Sequence, residues 1–424
     1  MNILIVGAGG REHALAWKIS KNPKLAKLFI APGNGGTAQL GTNVPIKDDD
    51  IDGLVAFASD NGIDLVVTGP ELPLVLGLKE ALDTVGIPCF GPCAFAAQLE
   101  GSKAFAKNMM RETGVPTADF RVFDSYDLAL DFVRGHALPV VIKADGLAAG
   151  KGVVIAQTLA EAEGALKDMM IDQVFGAAGQ TVVVEEALVG EEASFLAFCD
   201  GSTIVPMPSL QDHKRIGDGD TGLNTGGMGA YSPAPVLPQE RQAEMVALAI
   251  RPITGHLAAI GHPFKGVLYA GLMMTAAGPM VLEYNVRFGD PECQPLMARL
   301  QSDLVEIMQA CVNGNLRAEQ VVFHEETSCC VVMAAKGYPQ SYPKGMAVTG
   351  IEQAEDIETV TVFQAGTQLQ DDMIVSTGGR VLGVTALGSD LSQARERAYQ
   401  AVERIHFENS YFRKDIAVKG LRRT

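Results

Sequence analysis

The sequence predicts a protein of mixed α/β and α+β class, built from several units along the chain. In the first hundred residues, short apolar strands, glycine-rich turns and apolar helices alternate, which is the pattern of a doubly wound α/β unit. The central part places strands between glycine-rich and polar segments, and the last part combines strands with one helix. A chain of 424 residues has room for about two to four domains.

The first unit opens with an all-apolar strand over residues 2–6, followed by a glycine-rich turn from Gly7 to His13 and a helix over residues 14–20. A strand of this kind is typical of a buried parallel sheet. The later elements of the unit are strands over residues 29–31, 64–68 and 88–90 and a helix over residues 74–85.

The turn after the first strand resembles a dinucleotide-binding fingerprint only in part. G-x-G-x-x-G requires glycine where Glu12 stands, and no acidic residue closes the second strand. A phosphate on the helix N-terminus, near Gly9, Gly10 and Arg11, fits these residues better. The alternative is a glycine turn that only permits tight packing.

The central part begins with a helix over residues 103–112, for which Ser102 is the predicted N-cap and which carries Lys103 and Lys107 on one face. A strand over residues 139–144 ends near Lys143, and a second strand covers residues 153–156. The loop between them contains Gly150, Lys151 and Gly152.

The loop around Lys151 is not a P-loop, because Asp145 and Gly152 occupy positions where that motif needs glycine and Ser/Thr. Its flanks are strand and strand, so a hairpin flap that closes over ATP is the hypothesis. A flexible hairpin tip without a ligand is the alternative.

Residues 180–192 predict a buried strand that ends in carboxylates, with another strand over residues 193–199. Backbone groups at such a strand end suit an adenine, and Glu191 or Glu192 could accept hydrogen bonds from ribose hydroxyls. The alternative is that these carboxylates are simply solvated.

A polar stretch of about 25 positions, residues 209–233, is predicted to be a substrate loop. It contains Asp212, His213, Lys214 and Asn224 among closely spaced glycines. His213 has no orienting partner in the sequence and is interpreted as a surface histidine. A helix over residues 239–260 follows.

Strands over residues 269–275 and 280–286 predict a hairpin that carries the most specific chemistry of the chain. Because strand side chains alternate, Glu283, Asn285 and Arg287 share one face. Oxygen ligands beside a guanidinium suit Mg²⁺ next to a phosphate. The alternative is a polar edge strand with solvated charges. Gly289, Asp290 and Pro291 then turn the chain.

The last hundred residues predict strands over residues 327–335, 359–363 and 380–385 and a helix over residues 391–405. A hairpin turn is preferred to a phosphate contact at residues 378–380. Five basic residues are interpreted as solvated surface charge: Arg395, Arg397, Arg404, Arg413 and Lys414.

Composition excludes several classes of function. The chain has 47% hydrophobic and 20% charged residues and a net charge of −16, which argues against a partner that is nucleic acid or an anionic membrane. No segment resembles a signal peptide or a membrane span. The seven cysteines lack a C-x-x-C pair, so free thiols in a reducing cytoplasm are expected.

Together these motifs resemble the ATP-grasp carboxylate–amine ligases. The resemblance rests on Lys143 with the Gly150–Gly152 loop, on Glu185, Glu186 and Glu192, and on the Glu283, Asn285 and Arg287 face. Within that superfamily, the segments GAGGREH at Gly7, QDHK at Gln211, NTGGMG at Asn224 and RFGDPE at Arg287 resemble the enzymes that join glycine to 5-phosphoribosylamine in purine biosynthesis.

The resemblance implies a fold and a reaction. The expected fold is a Rossmann-like domain at residues 1–101, an ATP-grasp domain at residues 102–324 with a mobile lid at about 117–190, and a small α+β domain at residues 325–424. The expected reaction uses ATP, glycine and 5-phosphoribosylamine and passes through glycyl phosphate to glycinamide ribonucleotide, ADP and phosphate, in de novo IMP synthesis.

The resemblance also implies roles for individual residues. Glu283 and Asn285 would bind Mg²⁺, which Mn²⁺ can replace, while Arg287 and Asp290 would serve catalysis. The residues expected to bind ATP are Lys103, Lys143, Gly150, Lys151, Gly152, Glu185, Glu186, Leu188 and Glu192. The residues expected to bind the other substrates are Gly10, Arg11, Asp212, Lys214, Asn224, Gly226, Gly227 and Gly229.

One position departs from the superfamily pattern. Many members place a second acidic metal ligand on the strand before Glu283, but the corresponding residue here is Gly271. The number of Mg²⁺ ions therefore stays open. The alternative functions are another ATP-grasp ligase or carboxylase of purine metabolism, an NAD-dependent oxidoreductase and a non-catalytic nucleotide sensor. The expected state is a monomer or a weak homodimer.

Overall fold

The computed structural model describes residues 1–147 and 152–423. Its architecture confirms the predicted combination of α/β and α+β units, with a parallel sheet at the N-terminus and antiparallel sheets elsewhere. Free cysteine side chains account for all seven cysteines, and six of them are buried. No helix among the described residues is long and apolar enough to cross a membrane.

The N-terminal unit is a five-stranded parallel sheet with the strand order 3-2-1-4-5 expected of a doubly wound fold. The first helix begins at Gly10, four residues before its predicted start, so most of the glycine turn forms its first turn. The predicted helix over residues 74–85 is interrupted at Gly77, whose φ of 87° requires the left-handed region. The elements are β1 (Asn2–Gly7), α1 (Gly10–Ile19), β2 (Lys27–Pro32), β3 (Thr42–Asn43), α2 (Ile51–Asp60), β4 (Leu65–Thr68), α3 (Leu72–Val75), α4 (Leu78–Thr84) and β5 (Cys89–Phe90).

Two helices then lead into a small antiparallel sheet with its own apolar core. Ser102 caps the second helix as predicted, because its hydroxyl accepts a hydrogen bond from the backbone N–H of Phe105. The elements are α5 (Ala94–Gly101), α6 (Lys103–Thr113), β6 (Phe120–Phe123), α7 (Tyr126–Arg134), β7 (Val140–Ala144), β8 (Val153–Ala156), α8 (Leu159–Leu166) and β9 (Val182–Glu186). The strand order is β6-β9-β7-β8.

The next segment corrects two predictions. Glu191 and Glu192 lie inside a long strand, not at the end of the strand before it. The stretch of residues 209–233 is not a structureless loop, because it forms four short strands. The elements are β10 (Gly190–Asp200), β11 (Ile204–Pro206), β12 (Gln211–Asp212), β13 (Arg215–Gly217), β14 (Thr221–Asn224), β15 (Gly229–Ser232), α9 (Gln242–Met245), α10 (Arg251–Ala259), β16 (Lys265–Thr275), β17 (Gly278–Asn285), α11 (Cys293–Arg299) and α12 (Leu304–Asn313).

Strands β16 and β17 form the predicted hairpin, which pairs with β10 and β11 in a four-stranded sheet. The long predicted helix over residues 239–260 is divided, because a five-residue π-helical turn at Val246–Ile250 separates α9 from α10. Such turns are frequent at functional sites, but here the turn packs its apolar side chains into the core.

The C-terminal part is organised around a six-stranded sheet that includes β12 and β15 from the centre of the chain. The predicted hairpin turn at residues 378–380 is wrong, because the strands on either side of it do not pair with each other. The elements are β18 (Thr327–Ala335), α13 (Ile351–Glu355), β19 (Val360–Gln364), β20 (Thr367–Gln370), β21 (Met373–Ser376), β22 (Arg380–Gly388), α14 (Leu391–Val402), β23 (Ser410–Tyr411) and α15 (Val418–Leu421).

Candidate active site

Glu283 occupies the centre of the predicted metal face. It lies directly across the β16–β17 ladder from Gly271, at the point where the register shifts by a bulge. A Cβ built on Gly271 would meet the Cγ of Glu283 at 3.4 Å, so the missing side chain leaves Glu283 uncovered. Within the described part of the chain, the Glu283 carboxylate makes no hydrogen bond and no ion pair.

The electrostatic surroundings of Glu283 keep it ionised. Burial acts to raise the pKa of this carboxyl, but Lys214, Lys143, Lys103 and Arg287 together hold the pKa below its usual value. An ionised carboxylate that lacks an internal partner is a ready ligand for a cation.

Asn285 and Arg287 complete the face at the end of β17. The Asn285 amide oxygen accepts a hydrogen bond from Nη2 of Arg287 at 3.2 Å. The same guanidinium donates to Glu71 and Glu100, so it is held within a buried network. Burial opposes the charge of Arg287, but Glu100 and Glu71 outweigh it and raise the pKa of the guanidinium.

The donor set fits Mg²⁺. The described residues contain no group of three or more His, Cys, Asp or Glu side chains arranged to hold a metal ion. A single unpaired carboxylate and a neighbouring amide oxygen leave places for water and phosphate oxygens, and Mg²⁺ is usually bound in this way.

A second group of charges lies where the small antiparallel sheet meets α6. Lys107 and Lys143 contact the buried Glu185 at 2.9 and 3.0 Å, and Lys107 donates to Thr117 at 2.6 Å. Burial lowers the pKa of Lys107 to about 8, against the attraction of Glu185. The structure therefore brings Lys143 and Glu185 together with Lys107, which is absent from the predicted ATP site.

Lys103 lies at the start of α6 and points toward the predicted flap. Its ammonium donates to the carbonyl oxygen of Gly146 at 3.0 Å, and Asp145 accepts from the backbone N–H of Ala104 at 2.7 Å. Gly152 accepts from Ala144 at 2.8 Å, which continues the β7–β8 ladder. Gly150 and Lys151 lie outside the described residues.

The predicted adenine and ribose residues lie at the end of β9, in the connection to β10 and near the start of β10. Glu186 is exposed and accepts a hydrogen bond from the backbone of Asp119 at 3.2 Å, while Leu188 is partly buried. Glu192 differs from these residues because its carboxylate forms an ion pair with Lys214 at 2.7 Å.

Asp212 and Lys214 line a partly exposed pocket with Glu192 and Glu292, since the side chains of Lys214 and Glu192 are 33% and 40% exposed. The Asp212 side chain has no hydrogen-bond partner among the described side chains. Burial raises the pKa of Asp212 to about 7, since Glu292 and Glu192 counteract the attraction of Lys214. Burial acts to lower the pKa of Lys214, but Glu192 and Asp212 hold it well above its usual value.

Glu292 forms the far wall of this pocket. It accepts hydrogen bonds from Tyr269 at 2.9 Å and from Ser194 at 3.2 Å. The pocket therefore offers carboxylates on more than one side and a single lysine, which suits a small zwitterion with one ammonium and one carboxylate group.

His213 is not the surface histidine that the sequence predicts. It is 1% exposed, and neither ring nitrogen has a hydrogen-bond partner within the described residues. Burial, together with Arg413 and Lys419, lowers the pKa of His213 to about 4, so the ring is neutral at pH 7. Its packing near Tyr231 indicates a core role.

A cavity of about 280 Å³ opens between the N-terminal unit, the turn after β17 and the C-terminal part. Asp290 and Arg380 form an ion pair in its wall at 3.4 Å, and Arg380 and Arg11 hold the pKa of Asp290 below its usual value despite burial. The cavity is lined by Ala8, Gly9, Gly33, Asn34, Asp290, Ala365, Gly366, Thr367, Thr377 and Arg380.

Gly10 and Arg11 directly follow Gly9, which lines this cavity. The backbone N–H of Arg11 donates to Asp290 at 3.5 Å, but its guanidinium is buried and donates to Glu12 at 2.7 Å and to the Phe288 carbonyl at 3.0 Å. A Cβ on Gly10 would meet Gln294 at 2.7 Å, so glycine permits this close packing.

The four residues predicted to bind substrate in this segment lie at the end of β14, in the turn after it or at the start of β15. Asn224 ends β14 and Gly229 begins β15. Gly226 accepts a hydrogen bond from Arg380 at 2.8 Å, and a Cβ on Gly227, whose φ is 116°, would meet Pro291 at 2.5 Å. These glycines therefore let the segment pack against the turn that carries Asp290.

Sequence reasoning missed Asn34, Arg380 and Arg413 as important positions. Asn34 donates to the carbonyls of Ala8 and Gln364, both at 2.9 Å, and so joins the first and last units. Arg413, interpreted as surface charge, is fully buried between Asp220 and Asp415. The only local feature of the sequence that pointed to these positions was the presence of glycines beside Asn34 and Arg380.

Family models match most of the chain. The N domain of phosphoribosylglycinamide synthetase matches residues 1–100, its ATP-grasp (A) domain matches residues 101–293 and its C domain matches residues 328–419.

Curated relatives match the full length. A phosphoribosylamine–glycine ligase of Rhodopirellula baltica is 52% identical over 99% of this chain and 98% of its own. One from Vibrio cholerae is 50% identical over 100% of this chain and 99% of its own.

Solved structures share the fold. A phosphoribosylamine–glycine ligase of Thermotoga maritima, 34% identical, superposes with a TM-score of 0.87 over 98% of this chain and 100% of its own. An N5-carboxyaminoimidazole ribonucleotide synthetase from the same organism reaches a TM-score of 0.64 over 96% of this chain and 99% of its own. At 17% identity, that second likeness shows the fold alone.

Proposed function

The chain belongs to the phosphoribosylglycinamide synthetase family, and on that premise we propose how its residues carry out the ATP-dependent ligation of glycine to 5-phosphoribosylamine. The observation that supports the assignment best is the unpaired, ionised Glu283 among four cations. This ligation is a step of purine biosynthesis and forms ADP, phosphate and glycinamide ribonucleotide.

ATP occupies the space between the small antiparallel sheet and β17 in this proposal. Lys103 and Lys143 lie along the phosphates, with Lys151 added from the flap that contains Gly150 and Gly152. The adenine and ribose are bound by Glu185, the backbone at Glu186 and Leu188, and Glu192. Because Glu192 pairs with Lys214, Glu192 would lie between the ribose site and the glycine site.

Glu283 and Asn285 would hold Mg²⁺, which would supply positive charge beside the transferring phosphoryl group. Because Gly271 has no side chain, the hairpin would offer the metal a single carboxylate, that of Glu283. We propose that Mn²⁺ replaces Mg²⁺ there, because carboxylate and amide oxygens bind both hard cations. Arg287 stabilises the phosphoryl oxygens.

Glycine binds in the pocket of Asp212, Lys214 and Glu292. Its ammonium group is held by Asp212, whose carboxylate has no other partner, and its carboxylate lies toward Lys214. A glycine carboxylate oxygen attacks the γ-phosphorus, the bond to the bridging oxygen breaks and ADP leaves. Phosphorylation makes glycine an electrophile, because phosphate is a better leaving group than oxide.

5-Phosphoribosylamine binds in the cavity between the units. Its phosphate lies on the start of α1 near Gly10 and Arg11, and Asp290 and the Asn224–Gly229 segment frame its amine. The amine nitrogen attacks the acyl carbon of glycyl phosphate, phosphate departs, and Asp290 accepts the proton that the nitrogen loses. Close positioning of the two reactants contributes much of the rate.

The family membership leaves several properties as proposals. We propose domain limits at residues 1–101, 102–324 and 325–424, with the lid over about 117–190. A cytoplasmic location is supported by the seven free cysteines. We expect a monomer or a weak homodimer.

The assignment of substrates is tested by ADP release. Purified protein receives Mg-ATP and glycine, with and without 5-phosphoribosylamine generated in the reaction. ADP should form at a high rate only with both substrates, and alanine or serine should not replace glycine. Equal rates with other amino acids, or bicarbonate replacing glycine, would favour another ATP-grasp ligase or carboxylase.

A further inference from the structure

Arg287 is surrounded by carboxylates that come from outside the metal face. Its Nε donates to Glu71 at 3.1 Å, and its Nη2 donates to Glu100. Glu71 lies at the start of α3 in the N-terminal unit, and Glu100 lies near the end of α5. Only 16% of the Arg287 side chain and 8% of the Glu100 side chain are exposed.

The same guanidinium contacts the amide of Asn285. Nη2 donates to the Asn285 oxygen at 3.2 Å, and Nη1 donates to the Phe288 carbonyl at 3.1 Å. Glu100 also accepts from the backbone N–H of Val286 at 2.8 Å, so it fixes the main chain between Asn285 and Arg287.

We propose that Glu71 and Glu100 are positioning residues for the Mg²⁺ site, because they hold Arg287 where it keeps the Asn285 amide oxygen turned toward the metal face. This inference rests on the function proposed above for Glu283 and Asn285.

The physical reason lies in the two ends of an amide. Its oxygen attracts a cation, but its NH₂ group is a donor and repels one. A guanidinium beside Asn285 can only donate, so its N–H bonds to the amide oxygen and the reverse orientation, with NH₂ facing the guanidinium, is excluded. Without Arg287 in place, the amide could rotate and present NH₂ to Mg²⁺.

The carboxylates also balance charge. Arg287 is one of the four cations that act on Glu283, and an uncompensated guanidinium close to Mg²⁺ would repel it. Glu71 and Glu100 supply negative charge on the side away from the metal. Partners of this kind, which orient the residues that bind a metal, change metal affinity by about 10–100-fold when they are removed.

Phe288 extends the network to the other substrate site. Its carbonyl oxygen accepts from Arg287 at 3.1 Å and from Arg11 at 3.0 Å. Both arginines attract the Glu71 carboxylate and hold its pKa below the usual value despite burial. The electrostatic field of Arg11, at the start of α1, therefore also acts on Glu71.

The test uses Glu71→Gln and Glu100→Gln, which keep the shape of each side chain and remove its charge. Burial raises the pKa of Glu100 to about 7, so the titrations are made at pH 8, where the wild-type carboxyl is ionised. The measured quantity is ADP affinity by titration calorimetry at pH 8, once with Mg²⁺ and once with EDTA. The ratio of the two affinities reports the contribution of the metal.

Both variants should reduce this ratio about tenfold or more, while their affinity in EDTA stays at the wild-type value. Glu80→Gln is the matched control, because Glu80 accepts a hydrogen bond from Ala94 at the opposite end of α5 and does not contact Arg287. Its ratio should equal that of the wild type. A loss of affinity in EDTA as well would indicate a general structural role and overturn the inference.

Two further variants separate the inference from the proposed function. Glu283→Gln should abolish the Mg²⁺ contribution; if it does not, the proposed metal site and this inference both fail. If Glu283→Gln does so but the Glu71 and Glu100 variants keep the wild-type ratio, only the inference fails.

Asn285→Asp provides the last check. A carboxylate has two oxygens, so it presents an oxygen to the metal whichever way it is rotated. In an Asn285→Asp background, Glu100→Gln should reduce the ratio less than it does alone. An equal reduction in both backgrounds would contradict the amide argument. If Glu100→Gln does not fold, the same cycle is carried out with Glu71→Gln.

Discussion

The turn from Gly7 to His13 and the face of Glu283, Asn285 and Arg287 look alike in sequence, since both put charged residues at the end of an apolar strand. In the structure they differ in where those charges find partners. Glu12 accepts hydrogen bonds from Gly9 and Arg11, and His13 accepts one from Gln364. Glu283 has no such partner among the described residues.

The difference distinguishes buried charges that have internal partners from a buried carboxylate that has none among the described residues. Buried charges with internal partners stabilise a local geometry, and removing one partner leaves the other buried and unpaired. A carboxylate kept ionised by surrounding cations but unbonded is instead available to a metal. Substitutions of Glu283 and of Glu12 should therefore have different effects on activity and on stability.

The largest effect is expected from Glu283→Gln, which removes the unpaired charge. We predict a loss of about 10²–10³-fold in kcat, because the phosphoryl transfer loses electrostatic stabilisation. Thermal unfolding should show a folded protein. The control is Glu163→Gln, at an exposed pair with Arg134, which should keep wild-type activity. Activity in Glu283→Gln near that of wild type would place the metal elsewhere.

Glu12→Ala should affect stability strongly, in contrast to Glu283→Gln. It leaves the buried Arg11 guanidinium without its carboxylate, which costs about 3–5 kcal/mol in the free energy of unfolding. Urea denaturation measures this quantity. Glu306→Ala, at an exposed pair with Lys24, is the control and should cost under about 1 kcal/mol. Equal costs for the two variants would refute the structural role of Glu12.

His13 predicts a pH dependence of stability. Burial lowers its pKa to about 4 from 6.5. The unfolded chain therefore binds more protons between these values, and stability falls as the pH drops through that window. The loss between pH 7 and pH 5 is about 2 kcal/mol for this group.

Denaturant unfolding of His13→Gln at the two pH values checks this dependence. The variant should lose less stability on acidification than the wild type does, by about the same 2 kcal/mol. His213 should still contribute in both proteins, because its pKa is also lowered to about 4. An unchanged pH dependence in His13→Gln would show that His13 is not the group responsible.

Gly271→Ala should have the smallest effect. The new Cβ would lie 3.4 Å from the Cγ of Glu283, which is an ordinary contact, and no positive φ forbids a side chain there. We expect a gain of about 0.4–1 kcal/mol in stability from reduced freedom of the unfolded chain, with kcat within about twofold of the wild type. A large loss of kcat would mean that Glu283 needs this empty space to bind its ligand.

The sequence predicted many of the strands and helices and placed Glu283 and Asn285 on one face of a strand, because both follow from local patterns. Alternation on a strand was enough to group Glu283 with Asn285. It was not enough to separate Glu283 from Glu12 in function, because their partners come from other parts of the chain.

Long-range pairing explains the errors as well. Residues 209–233 look structureless by composition, yet β12 and β15 gain order by joining the C-terminal sheet. Arg413 looks like surface charge until Asp220 and Asp415 bury it. Helix ends were misplaced where packing decided them, as at Gly77.

The most direct measurement compares Mg²⁺-dependent ADP binding in Glu283→Gln and Glu12→Gln, alongside the unfolding free energy of each. We predict that Glu283→Gln unfolds close to the wild type but binds ADP no more tightly with Mg²⁺ than with EDTA. Glu12→Gln should be less stable yet keep the Mg²⁺ enhancement. The opposite pattern, with the enhancement lost in Glu12→Gln and retained in Glu283→Gln, would contradict the account.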